Sequence, residues 1–91
     1  MEFEWDKDKA ASNLKKHKVS FDEAGTVFGD TFSKTFADPD HSIDEDRYIT
    51  IGMSDRGRVL MVSHTDREDR IRIISARVAT RRERKAYEEE A

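Results

Sequence analysis

The sequence has no cysteine and a single proline, Pro39. Without cysteine, the chain can form neither a disulfide nor a thiol nucleophile, and a zinc site would need histidine and carboxylate ligands alone. The scarcity of proline indicates a compact fold without linkers. A chain of 91 residues also has the length of one domain, so we expect a single domain over residues 1–91.

Other absences exclude further classes of protein. No stretch approaches the roughly 18 apolar residues of a membrane-spanning helix, and the N-terminus lacks the apolar core of a signal peptide. We therefore expect a cytoplasmic protein with no membrane partner. A glycine-rich phosphate loop, a GxSxG motif and an HExxH motif are also missing, and the three histidines fit no metal-site spacing. We expect no metal site and no cofactor.

Charge dominates what the sequence does contain. Charged residues make up 41% of the chain and apolar residues 35%, which predicts a thin core under a charged surface. The net charge is −3, yet the segment from Arg67 to Lys85 contains eight basic residues and only three acidic ones. Positive charge concentrated in one segment of an acidic chain is typical of a polyanion-binding face.

Hydrophobic periodicity and capping signals predict an α+β fold with the element order β-α-α-β-β-β-β-α. Asp6 and Ser20 are candidate N-caps of two helices, and Thr80 with Glu83 is a capping-box signature for a third. We expect a small antiparallel sheet with the two N-terminal helices on one face, and a C-terminal helix. The predicted strands are 2–5, 31–36, 47–54, 58–65 and 70–78, and the predicted helices are 7–16, 21–28 and 81 onward.

The last predicted strand carries several arginines. Strict alternation predicts one face with Ile71, Ile73, Ser75 and Arg77, and an opposite face with Arg70, Arg72, Ile74, Ala76 and Val78. The planar guanidinium groups of Arg72 and Arg77 suit binding of phosphate through paired hydrogen bonds. They suit ion pairs equally, so pairing with acids such as Glu45 or Asp46 is the alternative interpretation.

Histidine exchanges protons near neutral pH, which makes His17 and His64 candidates for proton transfer. His17 follows lysines at the end of a predicted helix, where interaction with the helix dipole is the alternative role. His64 ends a predicted strand and could line the arginine face, whereas His41 is expected to be a loop residue. Tyr87 on the last helix is expected to pack its ring on the sheet.

Several separate motifs recur in an order found in one family of small proteins. They are Phe3-Glu4-Trp5-Asp6; Lys9 and Asn13; Lys16-His17-Lys18-Val19-Ser20-Phe21-Asp22-Glu23-Ala24; Val27-Phe28; His41-Ser42 with Glu45 and Arg47; Gly52; Arg58 with Leu60 and Val62; Thr65 with Arg67; and Arg72-Ile73-Ile74-Ser75-Ala76-Arg77 with Ala79, Glu83 and Tyr87. Over nearly its whole length, the chain thus resembles the BrnT toxins of type II toxin–antitoxin systems.

The resemblance implies a ribonuclease with a compact fold similar to the RelE toxins. Such a protein cuts RNA and thereby blocks translation and growth, and we expect the cleavage to be independent of metal ions. The resemblance also implies a BrnA-type antitoxin as partner. The toxin–antitoxin complex is then expected to bind its promoter DNA, with contacts supplied mainly by the antitoxin.

For RNA cleavage, we assign phosphate stabilisation to Arg77 and Arg72. Proton transfer is assigned to Lys16, His17 and His64, with Tyr87 as a further candidate. The remaining candidates for RNA binding are Arg58, Arg67, Arg81, Arg82, Lys15 and Lys18.

Two other functions fit the charge pattern. One is a non-catalytic nucleic-acid-binding module such as a repressor, and the other is a protein whose basic face only receives an acidic partner. Cleavage of RNA by the isolated protein distinguishes the ribonuclease from both.

Overall fold

The computed structural model describes residues 1–40 and 46–90 and confirms the predicted α+β class and element order, with one added turn of 3-10 helix. The elements are β1 (Glu2–Glu4), α1 (Lys7–His17), α2 (Phe21–Thr26), the 3-10 turn (Val27–Gly29), β2 (Lys34–Ala37), β3 (Arg47–Met53), β4 (Val59–Arg67), β5 (Arg70–Val78) and α3 (Arg81–Glu90). His41 and Glu45, named above, lie outside the described residues. None of these helices combines the length and the apolarity needed to cross a membrane.

The strands form one sheet in the order β1-β5-β4-β3-β2. The last three strands make the expected antiparallel meander, whereas β1 lies parallel to β5, with Phe3 beside Ile71. The predicted start of β2 at Thr31 is wrong, because Asp30 folds the next residues into a turn. Its carboxylate accepts the Phe32 N–H at 3.0 Å and its carbonyl accepts the Ser33 N–H at 3.0 Å, so β2 begins at Lys34.

A β-bulge interrupts the pairing of β5 with β4. Ser63 pairs with Ser75, but the next residue His64 pairs with Ile73, so Ile74 is the extra residue. The bulge reverses the side-chain alternation, and the strict alternation predicted from the sequence is therefore wrong beyond this point. Two faces result: a core face with Ile71, Ile73 and Ala76, and an opposite face with Arg70, Arg72, Ser75 and Arg77.

Helices α1 and α2 cover the core face. The buried apolar residues there are Val19, Phe21, Ala24, Val27, Leu60, Val62, Ile73 and Ala76. Ser20 caps α2 as predicted by accepting the Glu23 N–H at 3.0 Å, and Asp6 caps α1. A tight turn joins the two helices because Lys18 adopts a left-handed conformation, with φ of 59°.

Buried Asn13 fixes α1 against the edge of the sheet. Its amide nitrogen donates to the Ala76 carbonyl at 2.8 Å, and its oxygen accepts the Ala76 N–H at 3.1 Å. The same nitrogen donates to the Val19 carbonyl at 3.0 Å. Since β1 pairs with β5 only as far as Arg72, this side chain replaces a neighbouring strand at Ala76.

A buried carboxylate joins α2 to the β3–β4 turn. Glu23 accepts hydrogen bonds from the Arg58 guanidinium, including one from Nε at 2.9 Å, and from the Ser54 hydroxyl at 2.7 Å. Arg58 also donates to the Lys18 carbonyl at 3.0 Å. Hydrogen bonds from Arg58 lower the pKa of Glu23 despite its burial, so the pair is ionised at neutral pH.

Helix α3 packs on the opposite face of the sheet, where Tyr87 contacts Ile51 and Val59. The Tyr87 hydroxyl donates to the Asp30 carboxylate, which also accepts the Met53 N–H at 2.8 Å. The predicted capping box is confirmed in both directions. Glu83 accepts the Thr80 N–H at 2.8 Å, and its own N–H bonds the Thr80 hydroxyl at 3.2 Å.

His64 is buried on the core face between Phe28 and Tyr48, with 1% of its surface exposed. Its Nε2 hydrogen-bonds the Thr50 hydroxyl at 2.8 Å, and its Nδ1 lies 3.0 Å from the Asp66 carboxylate. Burial lowers the pKa of His64, although Asp66 partly opposes that effect. The imidazole is therefore neutral at neutral pH.

We predict that Glu23→Ala lowers the free energy of unfolding by about 2–4 kcal/mol, because Arg58 and Ser54 lose their buried partner. Urea denaturation measures the change. Arg56→Ala is the matched control, since the Arg56 side chain is 73% exposed and lies 3.9 Å from the same carboxylate. The control should cost less than about 0.5 kcal/mol, and equal losses in the two variants would contradict the role given to Glu23.

We also predict that acid destabilises the fold through His64. The unfolded chain takes up this proton near pH 6.5, but the folded protein does so only at a lower pH. Stability is therefore fully present above about pH 6.5 and falls as the pH drops towards the lowered pKa. His64→Gln should flatten the dependence of unfolding free energy on pH between 5 and 7. Both proteins keep His17 and His41, so parallel curves would show that His64 is not the cause.

Candidate functional site

The open face of the sheet carries the arginines of β5. The bulge at Ile74 puts Arg72 and Arg77 on this face, together with Ser75. Met61 lies beside Arg77 and Ser63 lies beside Ser75 in the neighbouring strand. This face therefore combines cationic, hydroxyl and apolar groups.

A hollow of about 320 Å³ lies on this face, and we call it the sheet hollow. Its lining residues come from the end of α1 and from three strands: His17, Ile49, Met61, Ser63, Ser75, Ala76 and Arg77. His17 reaches it because Asn13 holds α1 along the edge of β5. The fold thus brings together a titratable imidazole and a guanidinium that are 60 residues apart in the sequence.

A second depression of about 320 Å³ adjoins the first along α1, and we call it the helix groove. Its lining residues are Asp8, Lys9, Ser12, Asn13, Lys16, His17, Ile74 and Ser75. Because His17 and Ser75 line both depressions, the two form one continuous track around the edge of β5. Lys9 and Lys16 lie seven residues apart and so share one side of α1.

Arg77 is held by Glu83 from α3. Its two terminal nitrogens donate to the two carboxylate oxygens at 2.8 and 2.9 Å. Hydrogen bonds from Arg77 lower the pKa of Glu83 to about 2, against the opposing effect of burial. The same bonds raise the pKa of Arg77, so both groups are charged at neutral pH. One terminal nitrogen also donates to the Val78 carbonyl at 3.4 Å. The guanidinium has five N–H donors, and those bonded to neither Glu83 nor Val78 remain for a ligand.

Arg72 lies on the same face but apart from the sheet hollow. It donates to Glu4 at 2.9 Å, and Arg70 lies 3.7 Å from the same carboxylate. Five residues of extended strand span roughly 15 Å, so Arg72 and Arg77 cannot hold one phosphate group together. The acids that meet Arg72 and Arg77 are Glu4 and Glu83, so Asp46, suggested above, is not the partner of either.

The structure separates other candidates from the hollow. His64 is buried on the core face, away from the open face of the sheet. Both of its ring nitrogens already have partners, which are Thr50 and Asp66. Tyr87 is 5% exposed and bonded to Asp30, and burial together with that carboxylate raises the pKa of Tyr87 to about 12. Arg58 is bound to Glu23 and to the Lys18 carbonyl. These contacts give all three residues structural roles.

The remaining candidates are exposed and do not line the sheet hollow. Arg81 and Arg82 lie in the first turn of α3, Arg67 ends β4, and Lys15 and Lys18 flank the end of α1. Lys16 is the one among the predicted lysines that lines a depression. These positions suit contact with a long polyanion better than chemistry at one phosphate.

Sequence reasoning missed five lining residues of the sheet hollow: Ile49, Met61, Ser63, Ser75 and Ala76. Ile49 lies beside Ser63 through the register of β3 with β4, which no local feature of the sequence reveals. Strict alternation predicts Ser75 on the face of Arg77 and Ile73. The structure has Ser75 and Arg77 on one face, but because of the bulge it is the face of Arg72. The signal that the sequence offered for Ser75 was a polar residue in an apolar strand beside arginines.

Two further depressions differ in character. One, of about 380 Å³ on the side of α2, is lined by Phe3, Trp5, Phe21, Asp22, Gly25 and Thr26 and has no basic side chain. The other, of about 270 Å³, lies between β2 and α3 and is lined by Lys34, Phe36, Ile51, Met61, Glu83, Ala86 and Tyr87. Across residues 1–40 and 46–90, no three histidine or carboxylate groups converge as a metal site.

Comparison with known proteins identifies the family of this chain. The family model described as the ribonuclease toxin BrnT of type II toxin–antitoxin systems matches residues 5–83. No protein in the curated set matches the chain. The crystal structure of the Brucella abortus ribonuclease toxin BrnT is similar in fold, with 23% sequence identity, a TM-score of 0.70, and coverage of 89% of this chain and 99% of that one. The chain therefore belongs to the BrnT family of ribonuclease toxins of type II toxin–antitoxin systems.

Proposed function

We propose that this protein cuts RNA in the sheet hollow and thereby stops translation and growth. The observation that carries the proposal is the meeting of His17 and Arg77 in one open depression, in a chain that belongs to a ribonuclease family. An imidazole can move a proton at neutral pH, and a guanidinium can stabilise a negatively charged phosphate. Those are two of the three requirements of RNA strand cleavage, the third being a proton donor for the leaving 5′-oxygen.

The cleavage we propose is an attack of the RNA's own 2′-hydroxyl on the adjacent phosphate. The bond from the 2′-oxygen to phosphorus forms while the bond to the 5′-oxygen breaks, and the products end in a 2′,3′-cyclic phosphate and a 5′-hydroxyl. His17 takes the proton of the 2′-hydroxyl, and a protonated group such as Lys16 or water supplies one to the 5′-oxygen. Arg77 neutralises the charge that grows on the phosphate oxygens. Because the guanidinium supplies the positive charge, the reaction is proposed to need no metal ion.

The RNA strand on either side of the cut follows the cationic track. Lys9 and Lys16 in the helix groove are proposed to face the backbone on one side of the cut, and Arg81 and Arg82, exposed in the first turn of α3, to face it on the other. Arg72 is proposed to contact a different phosphate of the RNA, because it lies on the same sheet face as Arg77 but away from the hollow. Contacts to phosphate position the strand without reading its sequence.

The partner we propose is a BrnA-type antitoxin, supported by membership of a family of type II toxins. It neutralises the toxin, and the complex binds promoter DNA mainly through the antitoxin. The proposed location of both proteins is the cytoplasm, where the RNA is. Co-expression of the antitoxin should restore growth.

We predict that Arg77→Ala lowers the RNA cleavage rate by about 100- to 1000-fold, since charge stabilisation at the phosphate is lost. The assay uses purified protein and RNA in the presence of EDTA, with growth arrest on induction as a second readout. Arg70→Ala is the matched control, because Arg70 lies on the same strand and face but far from the hollow.

The control should cut RNA at nearly the normal rate. Arg77→Ala protein that is folded and still cuts RNA at the normal rate would show that the site lies elsewhere. Cleavage that EDTA abolishes would contradict the metal-free mechanism.

A further inference from the structure

Glu83 stands in an unusual place for a carboxylate in an RNA-binding protein. It lies on α3, lines the depression between β2 and α3, and bonds both terminal nitrogens of Arg77, which lines the sheet hollow. A negative charge beside a phosphate path opposes RNA binding. The capping bonds to Thr80 explain why Glu83 stands in the first turn of α3, but they do not explain its two bonds to Arg77.

Stability alone explains it poorly. The side chains of Arg77 and Glu83 are 42% and 29% exposed, and ion pairs near the surface contribute little to folding. Helix α3 already has its own anchors, since Tyr87 bonds Asp30 and packs on Ile51. The attachment of α3 to the sheet does not require the pair.

We propose that Glu83 is a positioning residue that holds the Arg77 guanidinium in the orientation in which it meets the scissile phosphate. The inference rests on the proposed role of Arg77 in cleavage. A free arginine side chain has many conformations, whereas bonding at two nitrogens fixes the plane and direction of the guanidinium. The N–H groups left over then point in one fixed set of directions.

Glu83 can act in this way because it is itself fixed. The capping box joins its carboxylate and its backbone to Thr80 at the start of α3. Proton transfer is not its role, because its pKa of about 2 makes it a poor proton acceptor at neutral pH. The carboxylate therefore acts through Arg77 and not on the substrate.

The test compares Glu83→Gln with Glu88→Gln in cleavage assays that measure kcat and KM separately. Both variants remove one negative charge from α3, but Glu88 is an exposed partner of Arg84. Loss of the clamp should lower kcat by about 10- to 100-fold, as expected for a misplaced catalytic group. KM should fall or stay constant, because a charge that repels RNA has gone. Glu88→Gln should leave kcat unchanged.

A third variant, Glu83→Asp, separates charge from geometry. It keeps the negative charge but is too short to hold both nitrogens, so it should lower kcat without lowering KM. If urea denaturation shows that Glu83→Gln does not fold, Glu83→Asp still tests the proposal. A normal kcat in a folded Glu83 variant overturns the proposal, as does an equal loss in Glu88→Gln. Arg77→Ala in the same assay separates the proposed cleavage site from the proposed role of Glu83. Normal cleavage by Arg77→Ala refutes the cleavage site. Abolished cleavage by Arg77→Ala, together with a normal kcat in the Glu83 variants, refutes only the positioning role of Glu83.

Discussion

The β-bulge at Ile74 is the constraint on which both the core and the functional face depend. One extra residue lets Ile71, Ile73 and Ala76 all reach the core face of β5. The same residue turns Ser75 and Arg77 to the open face that carries Arg72. With regular alternation, keeping Ile71 and Ile73 in the core would turn Ala76 out of it and Arg77 towards α1 and α2, whereas keeping Ala76 in the core would turn both isoleucines out. Bulges commonly redirect a side chain beside a functional site in this way.

Arg58, Arg72 and Arg77 each bond a carboxylate, and the three ion pairs have different consequences for the structure. Arg58 is bonded to buried Glu23 and to the Lys18 carbonyl, so it serves the junction of α2 with the β3–β4 turn. Arg72 meets Glu4 at the edge of the sheet. Only the Arg77 pair borders a hollow that also contains His17. The position of the acid, and not the number of arginines, thus distinguishes Arg58 and Arg72 from Arg77, the arginine proposed to meet the RNA phosphate.

Local signals in the sequence predicted local structure well. Ser20 and Thr80 begin helices as expected, because their capping partners lie only three residues away. The sidedness of Arg77 could not be predicted, since strand-forming residues occupy both sides of Ile74 and nothing local marks a bulge. The role of His64 was also out of reach, because its burial depends on the 3-10 turn and β3, which are distant in sequence. The family resemblance supplied the function, which the residue pattern alone left open between a nuclease and a binding module.

The central claim is that RNA occupies the sheet hollow on the open face. The most direct measurement is an NMR titration of isotope-labelled protein with a dinucleotide whose attacking 2′-hydroxyl is replaced by hydrogen, so that it binds without being cut. The account predicts the largest amide shift changes at Ser63, Ser75 and Arg77, around the hollow. Shift changes confined to Phe3, Phe21 and Gly25, which line the depression on the side of α2, would contradict it.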